Sequence, residues 1–206
     1  MGQCVIYLRS FNQARTSAIS PSYPVTMDMD TLVSDESDPE TRAASLYNLA
    51  LDLWDRFEQT GDRGDLDESI KYDQAALNLR PDGHPDRGSS LYNLAVGLRT
   101  RFKQTGDRDD LDESIKYHQA ALNLRPEGHP DRGSSLNNLA VGLGTRFKQT
   151  GDRDDLDESI KYHQAALNLQ PEGHPDRGCC LSQVGTRDHG TMPSVFKVER
   201  CRQCTE

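Results

Sequence analysis

Two stretches of this chain are nearly the same stretch. Residues 84–128 and 129–173 are 45-residue blocks that differ at only three positions: Tyr92/Asn137, Arg99/Gly144 and Arg125/Gln170. A more diverged copy occupies 39–83 at the same spacing. Self-similarity at a fixed period of roughly 20–50 residues marks a solenoid, in which each unit buries its apolar face by stacking on a neighbour. That constrains the fold before any residue is read for chemistry. It also moves the functional expectation from a catalytic pocket toward an extended binding surface.

Each block divides into two helical halves. In the first, Leu46, Leu49, Ala50, Leu53 and Phe57 fall at helical spacing and make one apolar stripe. Asp38 reads as its N-cap and Pro39 as its first residue. Gly-His-Pro-Asp is expected to do the same in the later blocks, with Pro85 and Pro130 as first residues. Gly61, Gly106 and Gly151 are placed to close this helix in a left-handed conformation. In the second half, Leu66, Ile70 and Leu77 form the core stripe, and Ala76 is small enough for close helix contact. Asp65 with Glu68, repeated as Asp110/Glu113 and Asp155/Glu158, reads as a capping-box-like start. Asp67 and Lys71 stand four apart and are expected to pair. Pro81, Pro126 and Pro171 end the helix.

The expected organisation is therefore all-α. A disordered segment, 1–37, rich in Ser, Pro, Thr and Asp after residue 16, precedes a repeat domain over 38–178. That domain comprises 38–83, 84–128, 129–173 and the start of a fourth block, and an irregular tail follows over 179–206. In the fourth block, register fails after Leu181. The last complete helix pair is thus expected to keep an uncapped apolar flank, open to self-association, as at the truncated end of a longer array. Gly142 and Gly144 are expected to weaken the first helix of the third block by about 1 kcal/mol each.

Several functional classes lose support on composition. A formal net charge of −9 opposes binding of nucleic acid through its phosphates. No apolar run approaches the roughly 18–20 residues of a membrane span, and Val5–Leu8 is too short for a signal-peptide core. Gly2 and Cys4 resemble an acylated start, but Ile6 stands where myristoylation wants Ser or Thr. The five cysteines, Cys4, Cys179, Cys180, Cys201 and Cys204, all lie outside the repeats. That pattern fits a reducing, cytoplasmic setting.

Sites for metal or catalysis fare no better. His84, His129 and His174 recur once per block, too far apart for one metal and better suited to a turn. Asp107–His118 has the acids of a calcium loop but lacks Gly at the sixth position and Glu at the twelfth, so it reads as a charged helix start. Arg63-Gly64-Asp65 spells an adhesion tripeptide that the other blocks do not keep. Cys201-Arg-Gln-Cys204, with adjacent Cys179 and Cys180 and with His189, has poor zinc spacing. No phosphate loop, nucleophile elbow or Ser/His/Asp set is present. No enzyme, metal or cofactor is expected.

The blocks resemble the tetratricopeptide repeat. Its first-helix core slots fall on Leu46, Leu49, Ala50 and Leu53, with Leu91, Leu94, Ala95 and Leu98, then Leu136, Leu139, Ala140 and Leu143. Its small second-helix residue falls on Ala76, Ala121 and Ala166, and its closing proline on Pro81, Pro126 and Pro171. The period is 45 rather than the usual ~34, the first aromatic slot holds Leu, and a second-helix aromatic slot holds Asp73, His118 or His163. His-Pro-Asp followed by Leu-Asn-Asn-Leu-Ala is similar to the long repeats of kinesin light chain. Gly-Asp-Leu-Asp-Glu-Ser-Ile is similar to tandem arrays in large fungal proteins.

The resemblance implies a right-handed α-solenoid of three helix–turn–helix repeats. Its concave groove would take a peptide or helix of a partner protein. Tyr47, Trp54, Tyr92, Arg99 and Asn137 lie on one first-helix face at the varied positions, with Leu51, Val96 and Val141 between them. Asn48, Asn93 and Asn138 fall where an amide bonds the backbone of an extended peptide in this family. The lysines of the chaperone-tail carboxylate clamp are absent. The expected function is a non-catalytic scaffold for protein–protein interaction. The alternative is a regulatory or sensor segment of a larger fungal enzyme with a caspase-like or nucleotide-binding domain.

Overall fold

The structure is a computed structural model that describes residues 38–169. They form six helices: α1 Pro39–Thr60, α2 Arg63–Asn78, α3 Arg87–Thr105, α4 Arg108–Asn123, α5 Arg132–Thr150 and α6 Arg153–Leu169. Helices α1/α2, α3/α4 and α5/α6 pack as pairs, and α2 meets α3 as α4 meets α5. Three pairs thus stack in chain order as an all-α repeat solenoid. We call the first helix of each pair A and the second B. The expected fourth block and tail lie outside the described residues, as do the N-terminal segment, all five cysteines and His174.

Helix ends follow local chemistry. Asp38 caps α1, its Oδ1 accepting from the Glu40 backbone N–H at 2.8 Å, with Pro39 at the first position where no donor is needed. Gly61, Gly106 and Gly151 end the A helices at φ 73°, 76° and 74°, a conformation that costs glycine little. Each gives its N–H to the carbonyl of Phe57, Phe102 or Phe147.

Three sequence expectations about helix starts require correction. The B helices are capped by Asp62, Asp107 and Asp152, not by the acids at 65, 110 and 155. Their Oδ1 atoms accept from the N–H of Gly64, Asp109 and Asp154 at 2.8, 3.1 and 3.0 Å. The turn after the helix-ending glycine is so short that the next residue is already the cap. Likewise α3 and α5 begin at Arg87 and Arg132, two residues beyond Pro85 and Pro130. Here a histidine turn replaces the side-chain cap: His84 Nδ1 accepts from Asp86 N–H and His129 Nδ1 from Asp131 N–H, both at 3.1 Å. This is the turn role expected of the histidines. Asp67 pairs with Arg63 and Arg101 rather than with Lys71. The calcium-like stretch is continuous helix from Arg108.

The core is a ladder of leucines, with Leu46, Leu66, Leu94, Leu111 and Leu139 essentially inaccessible. Polar contacts set the register of each pair. Ser69, Ser114 and Ser159 donate to the carbonyls of Ala50, Ala95 and Ala140 at 2.9, 2.7 and 2.7 Å. The acids displaced from capping form a second register contact. Asp65, Asp110 and Asp155 are each about 5% exposed and chelated by Arg56, Arg101 and Arg146 of the paired A helix. Arg101 and Arg146 also reach Asp67 and Asp112 on the preceding B helix, at 3.4 and 3.0 Å. One guanidinium therefore ties three helices.

Repeats approach closely at glycine. A Cβ on Gly97 would lie 2.8 Å from Ile70 Cγ1, and one on Gly142 3.0 Å from Ile115 Cγ1. Block one has exposed Asp52 at this place, where no preceding B helix is packed among the described residues. Gly142 is therefore a packing requirement as well as a propensity cost. At the other end, Leu156 and Ile160 of α6 are half-buried where Leu66, Leu111, Ile70 and Ile115 are buried.

Two tests follow from this packing. Arg101→Met strands a buried carboxylate and should cost about 3 kcal/mol in urea unfolding. Arg101→Met with Asp110→Leu should recover most of that loss. Among the glycines, Gly97→Ala should destabilise by about 1–3 kcal/mol through overpacking. Gly133→Ala, whose Cβ would meet nothing within 4 Å, should stabilise by up to about 1 kcal/mol.

Candidate functional site

The three positions that distinguish blocks two and three meet in space around one buried side chain. In the second repeat that side chain is His118 of α4, fully buried. The Tyr92 ring meets its imidazole edge-on, with centroids 5.6 Å apart. The Arg125 guanidinium lies over the same tyrosine ring at 4.9 Å, and Arg99 and Arg125 are the charges His118 feels. The first repeat builds an equivalent cell from Tyr47, Trp54, Asp73 and Arg80, with Arg80 lying 4.8 Å above the Tyr47 ring. At the equivalent positions the third repeat carries Asn137, Gly144 and buried His163, and Gln170 falls outside the described residues.

Hydrogen bonds carry each cell into the next repeat. Asn93 Nδ2 donates to the Tyr47 hydroxyl at 3.0 Å, and Asn138 Nδ2 to the Tyr92 hydroxyl at 2.7 Å. Arg99 donates to Asn138 Oδ1 at 3.0 Å. Arg80 and Arg125 donate to Ser90 and Ser135 Oγ at 2.6 Å. Consecutive A helices therefore stand side by side along this face.

Placement of the sequence-derived groove residues is uneven. Asn48 is exposed, and Tyr47, Leu51, Val96, Arg99, Asn137, Asn138 and Val141 are half-buried. Trp54, Tyr92 and Asn93 are only 8–9% exposed and act as walls. The Trp54 indole N–H donates to Glu58 at 2.7 Å. Asn93 and Asn138 spend amide hydrogens on the preceding tyrosine. Asn48 has no preceding tyrosine among the described residues.

From the sequence, Asp73, His118 and His163 read only as departures in an aromatic slot. A signal was present. Leu66, Ser69, Ile70, Asp73, Ala76 and Leu77 form a continuous i, i+3, i+4 face, so residue 73 had to point inward. Arg80 was missed because it lies past the helix, and only the fold turns it back beneath the next repeat.

Between the first two repeats the face opens into a small pocket of about 10 Å³, room for one water-sized group, lined by Leu51, Trp54, Ser69, Asp73, Asn93 and Val96. Asp73 Oδ1 is buried there with no hydrogen-bond partner. Burial holds the Asp73 carboxyl well above its ordinary value, while Arg80 pulls the other way.

Each matched family window opens on the first residue of an A helix. Residues 87–131 and 132–176 match the family described as tetratricopeptide repeat. These blocks are tetratricopeptide repeats. Residues 39–83 carry the same helix pair, the same Ser-to-carbonyl bond and the same Arg–Asp chelate. No curated protein matches the chain. Tetratricopeptide repeats generally mediate protein–protein interaction and are typically non-catalytic. No helix among the described residues is long and apolar enough to cross a membrane.

The buried histidines make stability depend on pH. Burial first, then Arg99 and Arg125, holds His118 well below the ordinary 6.5, and burial brings His163 to about 4. Unfolded chains take up these protons first, so the histidines' contribution is full above pH ~6.5 and is lost toward pH 4, while the raised Asp73 carboxyl works the other way and offsets part of that loss. Arg56 holds Asp65 below its ordinary value, so that pair stays ionised over this range. The melting temperature should fall between pH 7 and 4.5. His118→Phe with His163→Phe should remove at least half of that fall.

Proposed function

We propose that this chain is a non-catalytic adaptor that binds an extended peptide or helix of another protein along its A-helix face. One observation carries the reading. The scaffold contacts recur in all three repeats: the Ser-to-carbonyl bond, the Arg–Asp chelate and the helix-ending glycine. The substitutions between the near-identical blocks gather in one cell on one face. A constant frame with a varied face is how repeat arrays change partner.

On this reading the accessible contacts are Asn48, Leu51, Val96, Asn137 and Val141, with Tyr47, Arg99 and Asn138 shaping the floor. Trp54, Tyr92 and Asn93 supply rigid walls. The absence of cysteine from the repeats supports a reducing, cytoplasmic setting.

The test is selection of random 12-residue peptides on the intact chain, followed by affinity measurement on Val96→Gln and Val141→Gln. Both positions are half-buried, so melting temperatures should change little. Selected peptides should bind the variants at least tenfold more weakly. Undiminished binding by both variants would place the interaction elsewhere.

A further inference from the structure

We infer that the pocket between the first and second repeats receives a lysine ammonium from the bound segment. The inference rests on the groove reading above and names the partner's chemistry at one place. Its basis is the donor and acceptor balance of the pocket wall. Asp73 Oδ1 is an acceptor without a partner. Ser69 Oγ has given its hydrogen to the Ala50 carbonyl at 2.9 Å, so only its lone pairs remain. Asn93 has already donated from Nδ2 to the Tyr47 hydroxyl. Apart from the second amide hydrogen of Asn93, what the wall offers a visitor is acceptors, and the visitor must bring donors.

The fourth wall is Trp54, the chain's single tryptophan. An indole beside a carboxylate suits a cation, by ring attraction and by charge. Arg80 is the charge nearest in effect to Asp73, yet its guanidinium donates to Ser90 and covers the Tyr47 ring without bonding the carboxylate. An ammonium is compact and brings three donors, which suits a narrow opening between three helices better than a planar guanidinium. The chain's net charge of −9 favours approach of a basic segment.

The place also carries a cost that folding does not require. A buried, unpartnered carboxyl destabilises a fold, and the equivalent positions hold His118 and His163 instead. An incoming cation would stabilise the ionised acid that burial disfavours. The second repeat could not substitute, because Arg99 and Arg125 surround His118 and repel a cation there.

The test uses the full chain and the same random 12-residue peptide library. Selected peptides should be enriched in lysine and should change the fluorescence of Trp54 on binding. Replacing the key lysine by acetyl-lysine should weaken binding at least tenfold. Asp73→Asn and Asp73→His should weaken the lysine peptides by a similar factor. Both variants should melt at or above the wild-type temperature at pH 7, which separates lost binding from lost fold. Peptides that are lost in Val96→Gln but bind Asp73→Asn normally, or that lack enriched lysine, would overturn the pocket assignment and leave the groove reading standing. Failure to select any binding peptide would overturn both.

Discussion

The chelate of Arg101 with Asp110 and Asp67, and its repeat at Arg146 with Asp155 and Asp112, sets the spacing of the whole stack. Apolar packing is non-directional, and leucine faces could slide along one another with little loss. A planar guanidinium forked onto a buried carboxylate cannot slide. Since the same arginine also reaches the previous B helix, the position of one repeat fixes that of the next. Arg56 has the chelate with Asp65 but no preceding B helix to reach among the described residues. The constraint propagates from pair to pair, so the chain can hold one geometry while other positions vary.

That division explains why the varied cell can tolerate poor chemistry. His118 and Asp73 occupy a slot on the apolar stripe, and neither is well satisfied there. A core that relied on this slot would select an apolar ring. Here the Ser-to-carbonyl bond, one turn earlier on the same helix, and the small alanine three residues later already lock the pair. The slot is left free for a polar residue. Asp73 with Trp54 makes one environment, and His118 with Arg99 and Arg125 makes its electrostatic opposite one repeat away.

Glycine shows the same interplay of local and global demands. By propensity, Gly97 and Gly142 weaken their helices. By packing, they admit Ile70 and Ile115 at distances that a methyl group would obstruct. Block one, where no preceding B helix is packed among the described residues, carries Asp52 instead. The local cost is accepted only where a neighbour needs the space.

The repeat period, the helix pairs, the leucine ladder and the glycine stops were legible in the sequence, because each depends on residues within a few turns of one another. Sequence also placed two of the three varied positions on one A-helix face, since seven residues separate Tyr92 from Arg99. It misassigned Asp65, Asp110 and Asp155 as caps, because an acid near a helix start suits both a cap and an ion pair. Only the position of Arg56, Arg101 and Arg146, nine residues earlier and on another helix, decides between them. The fate of Asn93 and Asn138 likewise turned on tyrosines more than forty residues away. The sequence by itself determined which helices form and that they must stack. Tertiary structure alone decided which polar groups are spent holding the stack and which, like Asp73, are left with an open bond.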